Sequence, residues 1–263
     1  MWRLQKNGPP LITAGAQFVE PRFCLGLVPT SRLTELDAAN ADAGSAYQNR
    51  AMLYYDRQEY DLALRDADEA IRALPTSESY SNRALIRLRL GDDGGALRDA
   101  EQAIKFSPRN ASALVTRGVH RVNHGEMASG MEDIEAAIAA DPAFPPAYQC
   151  RARLNQVRGR TREALADYDT FIRLAPRDSS GYVGRALCRR DAGDLPGAIE
   201  DFEHATKINP RDYEAYANLG AIKLKQGDKS GAAADLKRAL DAAPADWDKR
   251  TSAEELLRKA GAD

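Results

Sequence analysis

Two charged columns run through the chain at intervals of 33 or 34 residues. Asp66, Asp99, Asp133, Asp167, Asp201 and Asp235 form one; Arg50, Arg83, Arg117, Arg151 and Arg185 form the other, with Leu219 in the sixth place. A guanidinium facing a carboxylate makes a bidentate, charge-assisted bond. The expected pairs are Arg50 with Asp66, Arg83 with Asp99, Arg117 with Asp133, Arg151 with Asp167, and Arg185 with Asp201. Pairing within each copy leaves only Asp235 without its Arg, whereas pairing each Asp with the next Arg strands Asp201, Asp235 and Arg50. Each Arg stands one residue before a small one, which places its head near a helix interface. The chemistry expected is therefore structural: an ion pair that fixes two helices against each other.

Other reactive residues are sparse. His120 and His124 are four apart, a spacing that puts two imidazoles on one metal, but no third ligand accompanies them and His204 lies more than two copies away. Cys24, Cys150 and Cys188 have no short spacing, which speaks against a disulfide framework or a CxxC site; Cys150 and Cys188 read as buried, inert thiols. There is no nucleophile elbow, phosphate-binding loop, dinucleotide glycine pattern or paired-carboxylate motif. No catalytic residue, metal or cofactor is expected, and the chain does not read as an enzyme. Arg158, Arg160 and Arg162, with Arg189 and Arg190 one copy on, read as basic residues complementing helix C-termini. With 37 Lys and Arg against 39 Asp and Glu, no net field draws the chain to nucleic acid.

The elements that position these residues are legible from proline. Pro75, Pro108, Pro142, Pro176, Pro210 and Pro244 keep one register. Tyr47, Tyr80, Leu114, Tyr148, Tyr182 and Tyr216 form a large-residue column, and Ala51, Ala84, Gly118, Ala152, Ala186 and Gly220 a small one four residues on, which is one helical face. Gln58, Gly91, Gly125, Gly159, Gly193 and Gly227 stand where a helix end needs a left-handed residue. A second periodic stretch carries Ala63, Ala96, Gly130, Ala164, Ala198 and Ala232, then Ala70, Ala103, Ala137, Phe171, Ala205 and Ala239. Such small residues let helices approach closely. Asn110, Asp178 and Asp212 are suited to cap the next helix.

This order of aromatic, small residue, glycine turn, two alanines and proline resembles the tetratricopeptide repeat family over residues 44–246. The resemblance implies an all-α fold: an α-solenoid, wound as a right-handed superhelix, of six helix-turn-helix repeats (44–76, 77–110, 111–144, 145–178, 179–212 and 213–246) plus a C-terminal capping helix within 247–263. In that helix Ser252 and Glu255 have capping-box spacing, and Leu256 and Leu257 supply the docking face. Residues 31–43 read as a degenerate half-repeat shielding the first unit. Residues 1–30 are irregular yet apolar, with Leu11, Ile12, Phe18, Phe23, Leu25, Leu27 and Val28.

The resemblance also implies that first helices line a concave groove, so the chain is expected to act as a protein–protein interaction scaffold or adaptor that binds a peptide segment. Counting one residue beyond each large-residue position and then stepping by four and three gives Gln48, Met52 and Tyr55; Ser81, Leu85 and Leu88; Val115, Val119 and Val122; Gln149, Arg153 and Gln156; Val183, Leu187 and Arg190; and Ala217, Ala221 and Leu224. The second and third repeats thus carry an apolar patch, flanked by basic and amide groups suited to a peptide with apolar anchors and some acidic character. The Lys, Asn and Arg clamp by which chaperone-binding members hold a C-terminal carboxylate is not assembled. The alternative is a structural subunit held through its N-terminal tail and convex face, with self-association through residues 1–30. Gly8, Pro9 and Pro10 interrupt any signal-peptide core, and no stretch is apolar enough to span a bilayer; a cytoplasmic location is expected.

Overall fold

The computed structural model describes residues 41–261, so the segment 1–30 and residues 31–40 of the expected half-repeat lie outside the described part. Thirteen α-helices follow one another: α1 (Ala41–Asp56), α2 (Tyr60–Ala73), α3 (Ser77–Arg89), α4 (Asp93–Phe106), α5 (Ala111–Asn123), α6 (Met127–Ala140), α7 (Pro145–Val157), α8 (Thr161–Leu174), α9 (Ser179–Asp191), α10 (Leu195–Ile208), α11 (Tyr213–Lys225), α12 (Lys229–Ala242) and α13 (Arg250–Lys259). No strand occurs among the described residues. Two compact units divide between Arg151 and Ala152.

In the first unit α1 packs on α2, α3 on α4 and α5 on α6, and the pairs are joined through α2 with α3 and α4 with α5. In the second, α9 packs on α10 and α11 on α12, joined through α8 with α9 and α10 with α11, and α13 lies on α12 and α11. Small side chains make this possible. A Cβ on Gly118 of α5 would lie 2.9 Å from the carbonyl oxygen of Gly130 in α6, so only glycine allows that approach. Between pairs the core is a plug in a socket: Ile86 enters Ala51, Ala63 and Ala67, Cys188 enters Ala152, Ala164 and Tyr168, and Ile222 enters Ala186, Ala198 and Phe202. Each methylene so buried contributes about 0.8 kcal/mol.

The turns follow from local chemistry. Gly91, Gly125, Gly159, Gly193 and Gly227 all have φ between 71° and 88°, and Gln58, the non-glycine in that column, is held at 63°. The residue before each proline cannot continue the helix, because the proline ring crowds the α region of its predecessor. Leu74, Ser107 and Asp141 accordingly turn extended while still donating N–H bonds to Ala70, Ala103 and Ala137. Asn110, Asp178 and Asp212 accept the first free N–H groups of α5, α9 and α11. Asp92, Asp194 and Asp228 do the same for the second helices α4, α10 and α12.

The ends depart from expectation. The described part of α1 runs from Ala41, within the expected half-repeat, and its first turn abuts the end of α2, where a Cβ on Gly44 would sit 2.6 Å from Leu74 Cβ. α13 starts at Arg250, not at Thr251, and has no side-chain cap, so Ser252 and Glu255 lie inside the helix and make no capping box. Trp247 decides this start: it is 7% exposed, packs edge-on against Tyr213, and accepts a backbone bond at its carbonyl from Arg250. Leu256 and Leu257 are only partly buried, and Ala253 is the deeper anchor at 3% exposure. Arg250 then caps α12, donating to the carbonyl of Leu240 at 3.1 and 3.2 Å.

A left-handed backbone costs a branched or long L-residue about 1 kcal/mol relative to glycine. Gln58→Gly is therefore expected to stabilise the protein by about 0.5 kcal/mol after the entropy of glycine is subtracted, read as a higher urea midpoint. An unchanged or lower midpoint would show the turn is not strained.

Candidate functional site

At the middle of each helix pair a carboxylate is buried. Asp66, Asp99, Asp133, Asp201 and Asp235 are all at most 6% exposed, a state whose desolvation must be met by matched donors. Arg50 donates from Nε and Nη2 to the two oxygens of Asp66 at 2.5 and 2.8 Å. Arg83 holds Asp99 in the same fork at 2.8 and 2.7 Å, Arg117 holds Asp133 at 2.9 and 2.6 Å, and Arg185 holds Asp201 at 3.0 and 2.6 Å. Each fork ties a first helix to its second. The Arg83 guanidinium has its pKa raised, chiefly by the bond to Asp99 acting against burial. Arg151 lies in the first unit and Asp167 in the second, so that pair remains a proposal.

A second cation column, which sequence reasoning missed, reaches the same carboxylates from one turn further on. Arg87 donates to Asp99 at 2.8 Å, Arg121 to Asp133 at 2.7 Å and Arg189 to Asp201 at 2.8 Å. Asn155 takes the place at Asp167 at 3.3 Å. In the sixth repeat, where Leu219 is 1% exposed in the Arg column, Lys223 bonds Asp235 at 2.7 Å. Asp235, which has no Arg of the first column, thus takes its cation from a column four residues on. Arg189, in the last turn of α9, is likewise committed to Asp201.

The first Arg column also reaches back. Arg83 Nη1 bonds Asp68 of α2 at 2.7 Å, and Arg185 Nη1 bonds Asp169 of α8 at 2.6 Å. One guanidinium thus joins three helices, the backward bond going to Asp68 or Asp169, two residues beyond the aspartate column. The ring column lies under these heads: Arg50, Arg83 and Arg185 stand 5.5 to 5.8 Å from the centroids of Tyr47, Tyr80 and Tyr182, within cation–π range. Where Leu219 removes the Arg, Arg238 of α12 covers Tyr216 at 5.6 Å instead.

The expected groove row is only partly open. Val122 is fully buried, with its Cγ2 2.5 Å from where a Cβ on Gly130 would be, so it serves contact between α5 and α6. Val115 and Val119, at 6% and 7% exposure, and Tyr55 and Gln149, at 5% each, are buried too. Helical spacing alone does not reveal how much of a side chain its neighbours cover, and the apolar patch of the third repeat is correspondingly reduced. Tyr55 accepts from Arg89 Nε at 2.7 Å. Gln48, Met52, Leu85 and Leu88 in the first unit, and Arg153, Gln156, Val183, Leu187 and Arg190 in the second, keep part of their surface in water. In the second unit a polar ladder runs along this row: Gln156 donates to Asp191 at 3.4 Å, Asp191 accepts from Arg190 at 2.7 Å, and Arg190 donates to Asn218 at 2.6 Å.

His120 and His124 stack with ring centroids 4.0 Å apart, and His204 lies tilted against Tyr182 at 4.4 Å. No group of three or more His, Cys, Asp or Glu fit to hold a metal occurs among the described residues. Cys188 is buried and its thiol pKa is pushed up by that burial. Desolvation, then the charge of His124, lowers the pKa of His120.

Three family models match the chain: two described as tetratricopeptide repeat, over residues 49–111 and 213–246, and one described as TPR repeat, over 184–227. Among solved structures, a tetratricopeptide repeat protein from Parabacteroides merdae is 23% identical with TM-score 0.60, over 86% of this chain and 87% of that one. The Cut9–Hcn1 assembly of the APC/C is 13% identical with TM-score 0.76, over 88% of this chain but 44% of that one. Yeast Tom70 is 17% identical with TM-score 0.59, over 88% and 57%. These likenesses concern the fold. No curated protein matches the chain in sequence.

Asp99→Ala leaves Arg83 and Arg87 facing each other at a packed junction, and a loss of about 3 to 5 kcal/mol is expected, measured by urea denaturation. The double variant Arg83→Leu with Asp99→Leu should lose less than the sum of its single variants; strict additivity would mean the pair is not coupled. For His120, the folded pKa lies below the ordinary value, so the neutral ring is the favoured form. Its contribution is whole above about pH 6.5 and is lost as pH falls through the lowered value. His120→Gln should flatten the decline in stability from about pH 7 to pH 5; an unchanged slope would count against it.

Proposed function

Since the chain is a tetratricopeptide repeat protein, we propose that it is a non-catalytic scaffold or adaptor that binds a peptide segment of a partner protein along its first-helix row. The observation that carries this reading is the row of the second unit. Val183 and Leu187 pack one edge into the core of α9 to α11 and leave the other edge in water, beside the ladder of Gln156, Asp191, Arg190 and Asn218. Apolar side chains next to exchangeable donors suit an extended segment, whose backbone needs hydrogen bonds and whose alternate side chains need pockets. Arg153 and Arg190 favour acidic character in that segment, and Met52, Leu85 and Leu88 offer apolar anchorage in the first unit. No described helix is long and apolar enough to cross a membrane, and a cytoplasmic location is part of this proposal.

The test is selection of peptides on the purified protein, followed by titration against variants. Leu187→Glu and Arg190→Glu are each expected to weaken selected acidic, apolar peptides about tenfold, or about 1.4 kcal/mol. If both variants bind as the wild type does, and only deletion of residues 1–30 removes partners, the groove reading fails. The protein would then be a structural subunit held, or self-associated, through that tail and its convex face.

A further inference from the structure

One ion pair of the second unit is built unlike the buried ones. Arg50, Arg83, Arg117 and Arg185 each direct Nε and Nη2 to the two separate oxygens of a buried aspartate 16 residues on. Arg190 instead directs Nε and Nη2, at 2.9 and 2.7 Å, to the single oxygen Oδ1 of its chain neighbour Asp191. The two side chains are 37% and 53% exposed, and an ion pair so open to water holds weakly. Asp191 is also the last residue of α9, the end at which the helix dipole disfavours a carboxylate. The pair therefore adds little to the fold.

The guanidinium itself is oriented independently of Asp191. Arg190 Nη1 donates to Asn218 Oδ1 of α11 at 2.6 Å, and the Asn218 amide donates to the carbonyl of Glu214 at 2.8 Å. We infer that Asp191 is a self-ligand: it occupies the place at Arg190 that an acidic side chain of a bound peptide takes, and it must let go for that side chain to enter. An incoming carboxylate can offer one oxygen to Nε and the other to Nη2. That is the parallel fork of the buried pairs, a stronger arrangement than two donors on one oxygen. Val183 and Leu187, seven and three residues before Arg190, share its helical face and supply apolar contact beside the exchanged acid. Departure of Asp191 also releases the Gln156 amide, which donates to its Oδ2 at 3.4 Å, for the peptide backbone. The exchange leaves no cation unpaired, and the displaced carboxylate passes into water that it already touches.

This inference rests on the peptide-binding reading above, and its test lets the two fail separately. Peptide selection is run on the wild type and on Asp191→Asn, and the probe is the tightest acidic peptide that either returns. Asp191→Asn is expected to bind that peptide about threefold more tightly than the wild type, the scale of an exposed ion pair. In an Arg190→Gln background the same substitution should leave affinity unchanged. Equal or weaker binding by Asp191→Asn overturns the self-ligand and leaves the peptide reading standing. So does an equal gain in the Arg190→Gln background, since Asp191 would then act by repulsion alone. A thermal midpoint lowered by Asp191→Asn also counts against it, because the acid would then serve the fold. If neither protein returns an acidic peptide, the groove reading falls and the self-ligand falls with it.

Discussion

An aspartate taken out of water at the centre of a helix pair costs several kcal/mol unless every lone pair finds a donor, and this chain repeats that arrangement along its whole described length. At Asp99, Asp133 and Asp201 the carboxylate comes from the second helix, the fork from the first, and a further donor from one turn beyond. Because the acceptor has a short, stiff side chain, the donors have to come to it, and this sets how the two helices slide and rotate against each other. Alanine and glycine on the facing surfaces permit close approach but specify no register. The ion pair supplies what the small residues lack, and Tyr47, Tyr80 and Tyr182 under Arg50, Arg83 and Arg185 restrict those heads from one face.

Much of this was legible because identity repeats. Aspartate in every copy and arginine in most of them declare a column even without a structure. The second donor column, Arg87, Arg121, Asn155, Arg189 and Lys223, keeps its function while its residue type changes, so it does not stand out as a pattern. The same limit explains Arg238: a guanidinium over Tyr216 is kept by changing helix, which no column records.

The groove and the C-terminal end illustrate a different limit. Spacing predicts that Val115, Val119 and Val122 share a stripe, but whether a stripe faces water depends on the width of the neighbouring helix, and two glycines in the contact between α5 and α6 bring that neighbour close. At the C-terminus, Ser252 and Glu255 satisfy a local rule that a nonlocal one overrides. The indole of Trp247 finds its place against Tyr213, and the helix starts where that docking leaves the backbone. Its ring nitrogen pays for the position by finding no acceptor among the described groups.

The guanidinium that reaches back from Arg83 to Asp68, and from Arg185 to Asp169, gives the array a direction. The first and fourth repeats are gripped in this way by their successors, while the bonds that run forward, from Gln156 to Asp191 and from Arg190 to Asn218, lie on the first-helix row away from the buried carboxylates. Loss of Arg83 or Arg185 therefore removes a support of the preceding repeat along with the partner of its own aspartate. Each of those two junctions is a latch closed by the link that follows it.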